Sequence, residues 1–227
     1  MNNRPKGFSR REMLWMVLGI GGLAALGDSV LAQQARRLAT APVERGPFYP
    51  ISYQKELDAD LTLVDGHQRR AEGEIIYVAG RVLNRKGAPV SGAKIEIWQA
   101  NAHGRYAHPS DTNPAPLDEN FQGVAVLKTD AEGRYHFKTI KPGPYPTSPT
   151  TQRTPHIHFD VKGKENRLIT QMFFPNEPLN EKDGIFRDLR RDGKIYSSSV
   201  TAHRMNPTKE MEAGAALFNW DIVLLDG

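Results

Sequence analysis

His156-Ile157-His158-Phe159-Asp160-Val161 alternates polar and apolar side chains with a period of two, the mark of a strand with one face turned to a core. Ile157, Phe159 and Val161 take the core face; His156, His158 and Asp160 take the other. Two imidazoles on one face stand about 7 Å apart along the strand, twice the rise per residue, and can both turn toward one ion. Working outward, short alternating runs recur at Glu74–Leu83, Ala93–Gln99, Val124–Thr129, Arg134–Ile140, Leu168–Phe174 and Asn219–Leu224. Turn residues separate most of them, among them Asn84-Arg85-Lys86-Gly87 and Asp130-Ala131-Glu132-Gly133. Long amphipathic helices are absent, and a short helix is expected near Lys209–Phe218. Seven short strands joined by Gly/Pro turns predict an all-β sandwich with long loops and little helix.

The chain has 227 residues, 39% hydrophobic and 25% charged, enough for one buried core. It has no cysteine, which excludes zinc ribbons, iron–sulfur clusters and thiol nucleophiles. A metal site must then use histidine, carboxylate, tyrosine or backbone oxygen. The net charge is only +4, and the basic residues form no stripe of the kind that nucleic acid requires. Ser9-Arg10-Arg11-Glu12-Met13-Leu14 is a twin-arginine pattern, followed by uncharged Met13 to Gly27 and small residues at Val30-Leu31-Ala32. Residues 1–32 therefore read as a cleavable leader for export to the periplasm or beyond, leaving no membrane segment after cleavage. Residues 33–73, punctuated by Pro42, Gly46-Pro47 and Pro50, read as an irregular segment packing on the core. Residues 74–227 read as the β-sandwich domain.

Taken alone, His156-x-His158 fits two separately hydrogen-bonded histidines as well as a metal pair. A cupin also uses His-x-His, but with a glutamate three or four residues later, where this chain has Val161 and Lys162. Asp160 is the carboxylate available for a two-histidine, one-carboxylate site. Two tyrosines stand in unusual settings: Tyr106, in Trp98–His108, and Tyr145, in Lys141-Pro142-Gly143-Pro144-Tyr145-Pro146. A tyrosine between prolines is expected on stiff, extended backbone with no helix or sheet to join. Residues 141–155, with five prolines and the Thr/Ser-rich Thr147–Thr151, form a loop long enough to line a site.

These motifs resemble the intradiol ring-cleavage dioxygenases, the family of protocatechuate 3,4-dioxygenase and the catechol 1,2-dioxygenases. The resemblance runs from about Glu44 to Leu224. It includes Gly46-Pro47-Phe48-Tyr49, Trp98–Tyr106, Thr129–Tyr135, Ile140–Pro146, Arg153–Phe159 and Phe218–Leu224. It implies a mixed β-sandwich holding one non-haem Fe(III) per chain, with Tyr106, Tyr145, His156 and His158 as ligands. Tyr145 would be the ligand that leaves when substrate binds and takes one of its protons. Arg153 would stand beside the substrate and steady negative charge on the ring, and Gln171 would support the site. Phenolate oxygen suits the hard ferric ion, whose charge draws the phenol proton off. The implied substrates are a catechol-type ring and O2, and the product a cis,cis-muconate-type diacid.

Other candidates carry weaker signals. His103 and His108 flank Tyr106 and could orient it, Tyr49 could wall a pocket, and His67, His136 and His203 sit in no motif. Tyr135 alternates with His136 and is expected in the core. Many protocatechuate enzymes have tryptophan two residues after the second ligand tyrosine, where this chain has Thr147. The helical region through which catechol 1,2-dioxygenases dimerise has no counterpart here, so their dimer is not carried over; protocatechuate enzymes pair two different chains, whereas this chain is expected to act alone or as a homo-oligomer. The alternatives are a cupin-like metal enzyme and a non-enzymatic, transthyretin-like β-sandwich binding module.

Overall fold

The central strand of the larger sheet, β1 (Ile75–Asn84), turns Ile76, Val78 and Val82 inward. The computed structural model that shows this describes residues 36–51, 57–191 and 196–225; the expected leader, 1–32, lies outside them. β2 (Lys94–Trp98), β3 (Val124–Lys128), β4 (Arg134–Ile140), β7 (His156–Lys162) and β8 (Arg167–Phe173) follow the expected runs closely. Two-residue β5 (Tyr145–Pro146) and β6 (Gln152–Arg153) lie between them. Helices α1 (Gly184–Asp188) and α2 (Tyr196–Val200) precede β9 (His203–Met205), β10 (Ala216–Asn219) and β11 (Ile222–Leu224).

The strands form a mixed sandwich. In one sheet, β1 pairs antiparallel with β4 on one side and parallel with β10 and then β11 on the other, and β9 adds to β10. The second sheet, ordered β3-β2-β7-β8, is antiparallel throughout. Ile95, Ile97, Ile157, Phe159 and Val161 of the second sheet meet Ile76, Val78, Tyr135 and Phe137 of the first in one apolar cluster. Tyr135 thus lies in the core, as its alternation with His136 required.

Two local expectations are corrected. The run at Asn219–Leu224 is not one strand: Trp220 and Asp221 break it between β10 and β11. The Trp220 amide still donates to Ala79 (2.9 Å), and Asp221 Oδ1 accepts from the Arg81 amide (3.0 Å). The break pushes the Trp220 carbonyl at Gly80, where any Cβ would stand 1.8 Å from that oxygen. Tyr135 Oη donates to the same carbonyl (2.7 Å). No helix forms at Lys209–Phe218 either. Its last three residues open β10, where parallel pairing with β1 outweighs a weak local helical preference, and Gly214 turns the chain ahead of it with φ of 84°.

The segment before β1 carries no strand among the described residues, yet it packs firmly. Leu61 and Ala71 enter the main core, while Ala41 and Val43 join Phe173, Phe186 and Val200 in a second cluster. This segment covers the outer face of the second sheet, so β7 is buried on both faces. Among the described residues no helix is long and apolar enough to cross a membrane.

Candidate active site

Alternation on β7 sends His156, His158 and Asp160 to the covered face. Register puts Trp98 of β2 and Gln171 of β8 on either side of His158. The Trp98 ring stacks on His158 at 4.8 Å and 10°. Asp160 is spent elsewhere: it holds Arg167 in a two-point ion pair (2.9 and 2.6 Å), which removes it as a metal ligand and with it the two-histidine, one-carboxylate reading.

Two loops bring the tyrosines over this face. After β2, Asn101 Oδ1 accepts from the amides of His103 (2.9 Å) and Arg105 (3.0 Å), and Asp111 Oδ2 accepts from the Tyr106 amide (2.7 Å). After β4, Tyr145 joins a ladder after all: it pairs with Arg153 across the small β5–β6 hairpin. The hairpin reconciles this with the expectation of a lone extended tyrosine, because only the flanking prolines lack an amide proton. The two loops interlock through glycine. A Cβ on Gly104 (φ 78°) would stand 2.1 Å from the Pro144 carbonyl, and one on Gly143 2.4 Å from that of Ala102. The Gly143 amide also donates to Asn101 O (2.9 Å).

The four rings close a circuit. Centroids lie 5.6 Å apart for Tyr106–Tyr145, 5.7 Å for Tyr145–His156, 4.8 Å for His156–His158 and 6.1 Å for His158–Tyr106. All four residues are buried. His156 Nδ1 lies 2.6 Å from the Thr154 carbonyl, which can only accept. That fixes the ring proton on Nδ1 and leaves the Nε2 lone pair pointing into the circuit. There it meets His158 Nε2 at 3.2 Å. Burial foremost, then the Arg153 charge, keeps the His156 imidazole well below its usual pKa; burial and then His156 do the same to His158. Both rings are therefore neutral and able to ligate. The Tyr106 hydroxyl is buried, with only the Tyr145 hydroxyl beside it. Burial, then the Tyr145 oxygen, holds its phenol well above the usual range. Burial raises Tyr145 too, against the lowering pull of Arg153.

Two imidazole nitrogens and two phenols that face one another in a buried circuit are a donor set that a cation would satisfy. Among the described residues no cluster of three or more His, Cys, Asp or Glu could hold a metal, so such a site here depends on phenol oxygen. The donor set of two imidazoles and two phenols fits Fe(III).

Arg153 reaches the circuit from β6, held from two sides. Its Nε donates to Asp183 Oδ2 (2.7 Å) and its Nη2 to Gln171 Oε1 (2.6 Å). Gln171 Nε2 in turn donates to Glu44 O (3.0 Å). Sequence reasoning missed Asp183, which is fully buried, accepts from the Thr154 amide (3.0 Å) and caps α1 through the Phe186 amide (3.0 Å). Its position before Gly184 signals only a cap, and nothing local ties it to an arginine 30 residues away. His103 pairs with Glu72 (2.9 Å), away from the circuit. His108 packs edge-on against Phe48 at 5.9 Å. Tyr49 donates to Glu96 (2.5 Å) and packs against the cluster of Trp98, Tyr106 and Tyr145.

A dioxygenase family model matches residues 45–227. Over 207 residues the chain is 42% identical to the protocatechuate 3,4-dioxygenase beta chain of Burkholderia cepacia, covering 80% of this chain and 85% of that one. It is 33% identical over 188 residues to a hydroxyquinol 1,2-dioxygenase of Rhizobium sp., covering 76% of this chain but only 60% of the relative's length. An intradiol ring-cleavage dioxygenase from Tetranychus urticae superposes with a TM-score of 0.62 at 19% identity, over 83% of this chain and 95% of that one.

Proposed function

The chain belongs to the intradiol ring-cleavage dioxygenases, oxidoreductases that open a catechol-type ring between its two hydroxylated carbons, and from that premise we propose that it works on one non-haem Fe(III) held by Tyr106, Tyr145, His156 and His158. One observation carries the ligand assignment: the two Nε2 atoms meet at 3.2 Å beside two buried phenols that face each other. The cupin-like and binding-module readings give no account of that donor set. When bound, the ferric ion supplies the positive charge that ionises phenol and catechol oxygens and makes the ring reactive toward O2.

The residues divide the remaining work. Thr154 holds the His156 tautomer that leaves Nε2 free. Tyr106 is the fixed phenolate, its amide tied to Asp111 and its ring stacked on Phe48 at 4.6 Å. Tyr145 rides on a two-residue ladder with an exposed tip. It is the phenol placed to swing away and carry a substrate proton on its Oη. Arg153 keeps a fixed cationic donor beside the ring without reorganising during the reaction. The product is a cis,cis-muconate-type diacid.

Iron-loaded protein is expected to be red-brown, with a strong tyrosinate-to-iron absorption band that a catechol perturbs. Protein that stays colourless after reconstitution with iron refutes the assignment. We infer in addition that residues 1–32 direct twin-arginine export, on the strength of Ser9-Arg10-Arg11 and the uncharged stretch behind it. Fractionation of cells expressing the Arg10→Lys/Arg11→Lys variant tests this, with retention in the cytoplasm the expected result. All four proposed ligands come from one chain, which supports a site complete in a monomer or homo-oligomer.

A further inference from the structure

Residues 44–49 cross the covered face of the second sheet at right angles to its strands. At one end, over β8, Glu44 O accepts from Gln171 (3.0 Å). Midway, over β7, Gly46 with φ of 71° passes so close that a Cβ would stand 3.4 Å from His158 Cε1. At the other end, over β2, Tyr49 Oη donates to Glu96 Oε2 at 2.5 Å and its ring meets Trp98 edge-on at 5.0 Å. Between these pins, Phe48 stacks on Tyr106 at 4.6 Å, and the Arg45 guanidinium lies 4.7 Å from the centre of the Tyr49 ring.

Glu96 is a costly residue for this place. It is 3% exposed and stands directly across from Asp160, which is fully buried. Lys94 (2.6 Å) and Lys162 (3.9 Å) offset its charge through Oε1, leaving Oε2 for Tyr49. A carboxylate holds a phenol proton more strongly than a neutral acceptor does.

We propose that Glu96 is a positioning residue: through Tyr49 it latches the 44–49 strap across the sheet, so that Phe48 holds the Tyr106 ring in place. The proposal rests on the function given above for Tyr106, but the latch itself can be tested without metal. The conservative variant Tyr49→Phe removes one hydroxyl, and Glu96→Ala removes the acceptor. Glu96→Gln keeps an acceptor oxygen. Hydrogen exchange followed by mass spectrometry on metal-free protein reads the strap directly. Tyr49→Phe and Glu96→Ala are expected to speed exchange across 44–51 by about tenfold, the worth of one hydrogen bond to a charged acceptor. Peptides from β1 and β4 should not change, and Glu96→Gln, which keeps an acceptor but not its charge, should fall between the parent and Glu96→Ala. In iron-loaded protein, the same two variants should shift the tyrosinate absorption band. They should also raise KM for catechol more than they lower kcat. Unchanged exchange across 44–51 in Tyr49→Phe overturns the latch, as does acceleration spread evenly over the chain. Should Glu96→Ala fail to fold, Tyr49→Phe decides alone. A parent protein that takes up no colour with iron refutes the metal assignment while leaving the exchange result to judge the latch.

Discussion

Replacing Asp183 by asparagine should damage stability and turnover together, for reasons that can be separated. Asp183 Oδ2 takes two donors, Arg153 Nε and the Thr154 amide, and Oδ1 takes the Phe186 amide. An asparagine has one oxygen, so at least one N–H must face its amide group. The Arg153 side chain is 10% exposed and that of Asp183 0%, so water cannot replace the lost partner. Breaking a buried pair of this kind costs about 3 kcal/mol or more. In a chain of this size that lowers the melting temperature by about 10 °C. Arg153 keeps Gln171 but loses the tether that fixes its direction, and a misplaced cationic donor should cost about 100-fold in kcat. Thermal unfolding followed by circular dichroism and steady-state turnover of a catechol check the two effects. The double variant Arg153→Met/Asp183→Asn removes both charges while keeping an acceptor oxygen for the backbone amides, and should recover part of the stability but none of the turnover. If Asp183→Asn unfolds within about 1 kcal/mol of the parent, or the double variant is no more stable than the single one, the reasoning is wrong.

Tyr106→Phe deletes a buried hydroxyl whose neighbour is the Tyr145 hydroxyl; it should change the stability of metal-free protein by no more than about 1 kcal/mol and destabilise iron-loaded protein by more, read from melting curves of the two forms. Gly104→Ala drives a Cβ to 2.1 Å from the Pro144 carbonyl at a φ of 78°, so it should pry apart the tyrosine loops and abolish iron uptake, read as metal content after dialysis. Glu212, bonded first to Arg70 and next to Lys138, has its carboxyl lowered from 4.5 to about 2. Its stabilising effect is complete above pH 4.5 and disappears as pH falls through about 2. With the side chain 36% exposed, solvent screening limits this to about 1 kcal/mol. Acid denaturation of Glu212→Gln should therefore converge with that of the parent at the low end of that window.

Strands were legible where alternation met a one-sided core. Ile157, Phe159 and Val161 announced β7 from three positions, and Ile95 and Ile97 did the same for β2. The tyrosines were not legible by period, because both sit on loops whose course depends on Gly104 and Gly143 passing each other's backbone. Their unusual settings drew attention to them, but only the resemblance made them ligands. Glu96 alternates with Ile95 and Ile97 and so faces away from the core; the strap that buries it lies 47 residues away in sequence. Asp183 escaped notice because its bond to Arg153 is equally non-local. The predicted helix near Lys209–Phe218 failed for the same reason, since β10 owes its shape to β1, paired at Ile76↔Ala216 through Asn219. Side chains whose surroundings come from distant segments are the ones that a local reading misses.

The parallel pairing of β1 with β10 and β11 carries a consequence for how the protein is made. β1 is the first strand of the sandwich to be synthesised, and one whole flank of it waits for residues 216–224. Arg81 and Asp221, which meet at the strand break, are separated by 140 residues. While translation continues, β1 can dock on β4 but presents an open edge on its other side, a surface prone to pairing with a neighbouring nascent chain. The sheet can close only after β11 has emerged from the ribosome, so this fold should be slow to mature and should depend on whatever shields that edge in the interval.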